Sequence, residues 1–274
     1  MTTRLHAYIE GAGVLGPGLS GWPQAVQVLA GKTAYEPQPT VLPPPSALPG
    51  PERRRTGAPV KLALAVGGEA VAASERDAAT LATVFAASGG DGQNCHAVCE
   101  TLAGEDRALS PTRFHNSVQN APAGYWGIAM RAMAPANVIC AYDGSFAAGL
   151  LESVTQAAID ARPTLLIAFD TAYPAPIHEM RPIDDAFGVA LVLAPQASER
   201  TLARIEVRLT DASATTLASP AFEALRLGNP AARALPLVEA LAARRSGSVV
   251  LEYLDDLRLE VDVAVTSQDR DTAS

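Results

Sequence analysis

Three groups of residues have types and spacing that could do chemistry. Gly11-x-Gly13-x-x-Gly16 follows an alternating apolar stretch and matches the pattern that lets backbone approach a dinucleotide pyrophosphate. That chemistry also asks for an acidic residue about 20 positions beyond the glycines, closing a second strand. The chain instead has Lys32 and Glu36 in a stretch running into prolines, and Pro17 where helix-N-terminal amides would face phosphate. A tight glycine turn between strand and helix is the reading these residues support. Cys95, His96 and Cys99 are possible soft-metal ligands, but the cysteines are four apart and no second pair follows at zinc-finger spacing. They are expected as half-buried helix cysteines holding no metal, and Cys140 as a small core residue. In Ser110–Tyr125, two asparagines, Asn116 and Asn120, flank Ser117-Val118-Gln119, and Ala121, Ala123 and Gly124 follow. Asn and Ser offer helix caps there, and the small residues allow close backbone approach.

These groups need elements to position them. Residues 5–10 alternate apolar and polar and predict a strand. Trp22–Ala30 predicts a helix closed by Gly31, and the proline-rich stretch 36–59, ending in Arg53-Arg54-Arg55, an extended surface segment. Helices are expected over 60–73, 93–103, 117–133 (interrupted by Pro122 and Gly124), 145–160 and 230–243. Strands are expected over 79–87, 137–141, 164–169, 188–193 and 203–209. The runs 248–254 and 257–263, joined by Asp255-Asp256, predict a hairpin. Strands alternate with helices up to residue 195, which predicts an α/β class with helices covering a sheet. The polar residues from Thr266 onward are expected to form a flexible tail.

The 274 residues are 48% hydrophobic and 18% charged, enough apolar material for a sizeable core. The formal net charge of −8 argues against a nucleic-acid partner. No apolar run reaches the roughly 18 residues of a membrane span, and the N-terminus does not read as a signal peptide. Three cysteines without framework spacing predict reduced thiols and a cytoplasmic location. No residue set calls for a cofactor.

Phe114-x-Asn116-Ser117-x-x-Asn120-Ala121-x-Ala123-Gly124 resembles a segment of the β-ketoacyl synthases, the thiolase-fold condensing enzymes. The opening Ile9–Gly18 is similar to their first strand and glycine turn. Arg53-Arg54-Arg55 with Val60–Ala65 resembles their arginine-plus-helix element. Asn137–Leu150 resembles the strand, nucleophile elbow and buried helix. Arg181–Leu193 resembles the end of their first half. The nearest subgroup is the short, chain-length-factor-like one of aryl-polyene and related type II pathways. The resemblance implies a thiolase-like layered fold with a truncated second half. Its implied boundaries are 1–195 for the synthase-like half, 196–265 for a shortened second half packed on it, and 266–274 for the tail.

Within that resemblance Asp143 stands where the acyl-accepting cysteine would be, and a carboxylate is a far poorer acyl acceptor than a thiolate. A helix N-terminus would favour its charge by about 0.3–1 kcal/mol. The family's condensing histidines lie in its second half, whereas His6, His96, His115 and His178 all precede residue 179. The resemblance therefore implies a subunit without catalytic residues. It would pair with an active ketoacyl synthase, or with itself, through the strand at 137–141, and meet acyl carrier protein only indirectly. Phe114, Asn116, Asn120, Tyr125, Trp126, Val138, Tyr142 and Phe146 are the candidates for tunnel wall and interface. The alternative is a thioesterase or acyltransferase with Asp143 as general base, assisted by His115 or His178.

Overall fold

A computed structural model describes residues 5–266. Its centre is an eight-stranded mixed sheet. In chain order the strands are β1 (Leu5–Leu15), β2 (Ala82–Ala86), β3 (Ala136–Ile139), β4 (Thr164–Asp170), β5 (Phe187–Ala194), β6 (Ala203–Thr210), β7 (Gly247–Leu254) and β8 (Leu257–Val265). In space they run β3-β2-β4-β5-β1-β6-β8-β7. The pairs β3–β2 and β2–β4 are parallel and the remaining neighbours antiparallel. The helices are α1 (Trp22–Leu29), α2 (Gly50–Arg53), α3 (Ala58–Ser74), α4 (Gly92–Ala103), α5 (Pro111–Asn116), α6 (Ala121–Met130), α7 (Ser145–Ile159), α8 (Ile177–Met180), α9 (Pro220–Gly228) and α10 (Leu235–Ala242).

The burial pattern along the strands shows where the sheet is covered. β4 and β5 are buried at every residue. Leu165, Ile167 and Phe169 pack on one face with α3 residues Leu62 and Val66 and with Trp126. Leu166 and Ala168 point the other way, into a core shared with Phe146, Leu150 and Val154 of α7. A strand covered on both faces reads as an unbroken apolar run, which is why these two were visible in the sequence. β6 and β8 instead alternate. Ile205, Val207, Val261 and Val263 face the core of α10, while Arg208 on the other face pairs with Glu260 and Asp262. The sheet thus passes from three-layered to two-layered beyond β1.

The glycine motif serves packing. A Cβ at Gly11 would strike the Ala70 carbonyl and one at Gly13 the Val66 carbonyl, so the glycines let β1 lie directly on α3. The amides at the turn are already partnered: Glu69 Oε2 accepts from Val14 N at 3.0 Å and Oε1 from Trp22 N at 2.6 Å. A half-buried carboxylate of α3 thereby occupies the donors that a phosphate would need. Burial raises the Glu69 pKa despite these two amides.

Several sequence expectations change. The helix expected over 117–133 shrinks to α6: residues 117–120 form a turn, the helix ends at Met130, and α5, which precedes the turn, was not expected. Neither Ser110 nor Asn120 makes a side-chain cap. Asn116 instead donates Nδ2 to the Arg55 carbonyl and accepts from the Tyr125 hydroxyl. The helix over 230–243 begins as a 3-10 turn, Pro230–Ala234, before α10. Cys95 and Cys99 are exposed rather than half-buried, because α4 buries only Gly92 and Asn94. Cys140 is also exposed rather than part of the core. It follows the last residue of an edge strand, and its thiol donates to the Ser88 carbonyl at 3.2 Å. The tail beyond Thr266 lies outside the described residues.

The two sheet edges differ. At the β7 edge the loop after β6 covers the strand: Thr215 N donates to Val250 O, and Val250 N donates to Thr215 Oγ1. At the other edge β3 pairs with β2 only, among the described residues, and Ala136 and Asn137 are exposed.

Candidate functional site: the elbow after β3

β3 hands the chain to α7 through a 3-10 turn, Tyr142–Gly144. Gly144 is required there, because a Cβ would collide with the Tyr253 carbonyl of β7. Ser145 fastens the turn: its Oγ accepts from Ala141 N at 3.0 Å and donates to Tyr142 O at 2.7 Å. Tyr142 is left at φ 51°, an unusual conformation for a non-glycine residue. A cleft of about 270 Å³ lies beside the turn, lined by Tyr142, Asp143, Arg233, Glu252, Tyr253 and Arg258 among others.

Asp143 opens a chain of alternating charges. Its Oδ1 accepts from Arg181 at 2.7 Å, and its Oδ2 lies 3.6 Å from Arg233. Arg233 reaches Glu252 of β7 at 2.5 Å, Glu252 meets Arg226 at 2.8 Å, and Arg226 meets Glu223 at 2.6 Å. Three carboxylates and three guanidiniums thus balance. Arg226 is buried, so its partners are obligatory. Its hydrogen bond, joined by the Leu217 amide, pulls the Glu223 carboxyl down to about 2. Burial works against the charge of Arg181, but the Asp143 carboxylate overrides it and the pKa rises. The Arg181 guanidinium also stacks on the Tyr142 ring, 3.7 Å from its centroid. The charge at Asp143 is therefore met by two arginines rather than by the helix N-terminus alone.

The parallel strands end beside this turn. Asp170, the last residue of β4, accepts from Ser88 N at 3.0 Å and Ser88 Oγ at 2.5 Å, both through Oδ1. Its buried Oδ2 has no hydrogen-bond partner. Burial pushes its pKa up to about 7, against the pull of Ser88 and Arg181.

The sequence candidates fall into two sets. Asn116, Tyr125, Trp126 and Phe146 are buried in the chain's own interior. Phe114, Asn120 and Tyr142 are exposed, and Val138 is half-buried on the edge strand. His178 pairs with Asp184 at 2.7 Å, and His115 sits edge-on to Tyr125. Arg233, Glu252 and Asp170 were missed, because no local pattern links them to Asp143. Arg181 was noted only within a matching segment.

The family model for the β-ketoacyl synthase N-terminal domain matches residues 22–249. The chain belongs to the β-ketoacyl synthase family. Solved structures of similar fold include a chain of a ketosynthase in complex with its chain length factor from Xenorhabdus doucetiae. It is 20% identical, with 94% of this chain and 99% of that chain covered and a TM-score of 0.72. The ishigamide ketosynthase/chain length factor matches at 14% identity over 96% of this chain and 100% of that chain, with a TM-score of 0.72. A β-ketoacyl synthase from Burkholderia phymatum STM815 matches at 12% identity over 89% of this chain and 71% of that one, with a TM-score of 0.56. No curated protein matches by sequence. The chain has a thiolase-like α/β fold, truncated in its second half, and its own elbow carries a carboxylate paired with two arginines. No helix of the described residues is long and apolar enough to cross a membrane.

Proposed function

We propose that this chain is a non-catalytic, chain-length-factor-like subunit. It pairs with an active ketoacyl synthase and forms part of the wall of that enzyme's acyl tunnel, in a type II fatty-acid or polyketide pathway of the aryl-polyene kind. The observation that carries the reading is Asp143, aligned with the family's acyl-accepting cysteine and bound by Arg181 and Arg233. A carboxylate so held has both oxygens engaged by cations and accepts no acyl group. Two structures matched over nearly their whole length are of ketosynthase–chain length factor pairs, which supports the same reading.

The surface supports association. β3 presents an open edge, the kind of strand proteins cover. Phe114, Val118, Ile128 and Met133 are exposed on the segments that precede it in the chain. The cavity among the starts of α3, α4 and α6 is only about 10 Å³, room for about one water. That cavity has no room for an acyl chain, and Phe114, Asn120, Val138 and Tyr142 at the surface are the residues positioned to meet the chain or the partner. Residues 196–265 act as a shortened second half that braces the elbow. The subunit works in the cytoplasm, where acyl carrier protein reaches it through the synthase.

Co-expression with an active type II ketoacyl synthase from the same organism tests the proposal. A stable heterodimer that extends malonyl thioesters, and whose product length changes with Phe114→Ala, supports it. A monomer that binds no synthase, or condensation by this chain alone, refutes it. The altered-enzyme reading gains no support, since Asp143 meets Arg181 and Arg233, while His178 and His115 contact Asp184 and Tyr125 instead of Asp143.

A further inference from the structure

Tyr142 combines three features that rarely coincide. The residue is 61% exposed, its backbone is left-handed, and a guanidinium lies against the face of its ring. A left-handed tyrosine persists only where its surroundings over-determine it, and such strain marks positions with a task. Here the surroundings are explicit. Ser145 Oγ holds the Tyr142 carbonyl, Gly144 is wedged against β7, and Arg181 covers the ring. Arg181 is in turn fixed by Asp143, and Asp143 by Arg233 and the ion chain behind it.

We propose that Asp143 and Arg181 are positioning residues for Tyr142, and that the clamped Tyr142 ring is an anchor by which this chain engages its synthase partner. The inference rests on the reading above. Tyr142 follows the open β3 edge by three residues, so a partner strand paired on that edge ends beside the ring. Tyr and Arg are the side chains most enriched at the energetic centres of interfaces, and a pre-ordered ring gives up little freedom on binding. The carboxylate at the elbow thus has a mechanical role: it keeps the guanidinium over the ring. Lysine at 181 would retain the ion pair but lose the planar stack.

Two measurements test this. On the free chain, ¹H–¹³C spectra with ring-labelled tyrosine read the clamp. Asp143→Ala and Arg181→Lys should both shift and broaden the Tyr142 ring signals while Tyr125 and Tyr253 keep theirs. Unchanged Tyr142 signals in both variants would overturn the positioning role. In the pair co-expressed with an active type II ketoacyl synthase from the same organism, Tyr142→Ala should weaken association roughly tenfold or more, Asp143→Ala by a smaller factor, and Tyr142→Phe hardly at all. Wild-type pairing that Tyr142→Ala leaves intact would overturn the anchor. Failure of the wild-type chain to pair at all would overturn it too, together with the subunit reading, and is distinguished because it appears before any substitution.

Discussion

Replacing Asp170 by Asn should change how stability depends on pH. The unfolded carboxyl releases its proton near 3.8 and the folded one near 7. Between these values the folded state binds more protons, so stability falls as pH rises and levels off above about 7. That interval corresponds to a loss of at most about 4 kcal/mol between pH 4 and pH 8. The side chain of the Asp170→Asn variant has no such proton to lose. Its carbonyl can still accept from Ser88, but its amide group occupies the place of the unpartnered Oδ2 and should cost about 1–3 kcal/mol. The difference between the two proteins should therefore move in the variant's favour by up to about 3 kcal/mol between pH 5 and pH 8. Glu223, held low, contributes its pH dependence below pH 5 and does not interfere. Titratable groups common to both proteins cancel in the difference between them. Urea midpoints at pH 5, 6, 7 and 8 measure it. A difference that stays constant across these pH values would refute the assignment of a buried, proton-holding Asp170.

Gly13→Ala should destabilise by about 2–3 kcal/mol, because the new methyl meets the Val66 carbonyl and β1 and α3 must separate; an unchanged urea midpoint would contradict the packing role. Glu69→Ala leaves the Val14 and Trp22 amides unpaired and should lower stability by about 1–3 kcal/mol without creating affinity for dinucleotides, read by melting with and without NAD. Val138→Pro removes an amide from β3 and should abolish pairing with the synthase while the chain stays folded, seen by light scattering and circular dichroism. Asp143→Cys should not confer condensation of malonyl thioesters, since no histidine follows residue 178; turnover above a no-enzyme control would defeat that expectation.

How much was legible depended on whether the signal was local. β4 and β5 stood out because burial on both faces makes every residue apolar, and the β7–β8 hairpin because alternation flanks a two-residue turn. The turn at 117–120 was hidden because Pro122 is compatible with the first turn of a helix as well as with a break inside one, and the sequence does not say which. α9 was missed although Ser219 caps it through the Phe222 amide, since the preceding residues carry no apolar period. The exposure of Cys95 and Cys99 could not be read because α4 borders little of the core. Above all, the partners of Asp143 are remote: Arg181 is 38 positions away, and the brace continues through Arg233 and Glu252. Spacing reports a helix or strand face, and an ion chain across four elements has no spacing to report.

Two features that look like ligand sites in the sequence turn out to be filled from within. The amides around Gly11–Gly16 are taken by Glu69, and the elbow that would present a nucleophile presents a carboxylate closed by Arg181 and Arg233. In both cases the geometry of a binding site survives while its donors are spent on a neighbouring side chain. Restoring a thiol at 143 would return one atom but leave Arg181 and Arg233 facing a group that carries less charge, so the ion chain would lose its hinge before any chemistry began. The backbone donors and acceptors of β3 on the side away from β2, and the exposed Tyr142, by contrast, face outward. A chain that satisfies its reactive positions internally and leaves a strand edge and an ordered aromatic at its surface is better suited to association than to turnover.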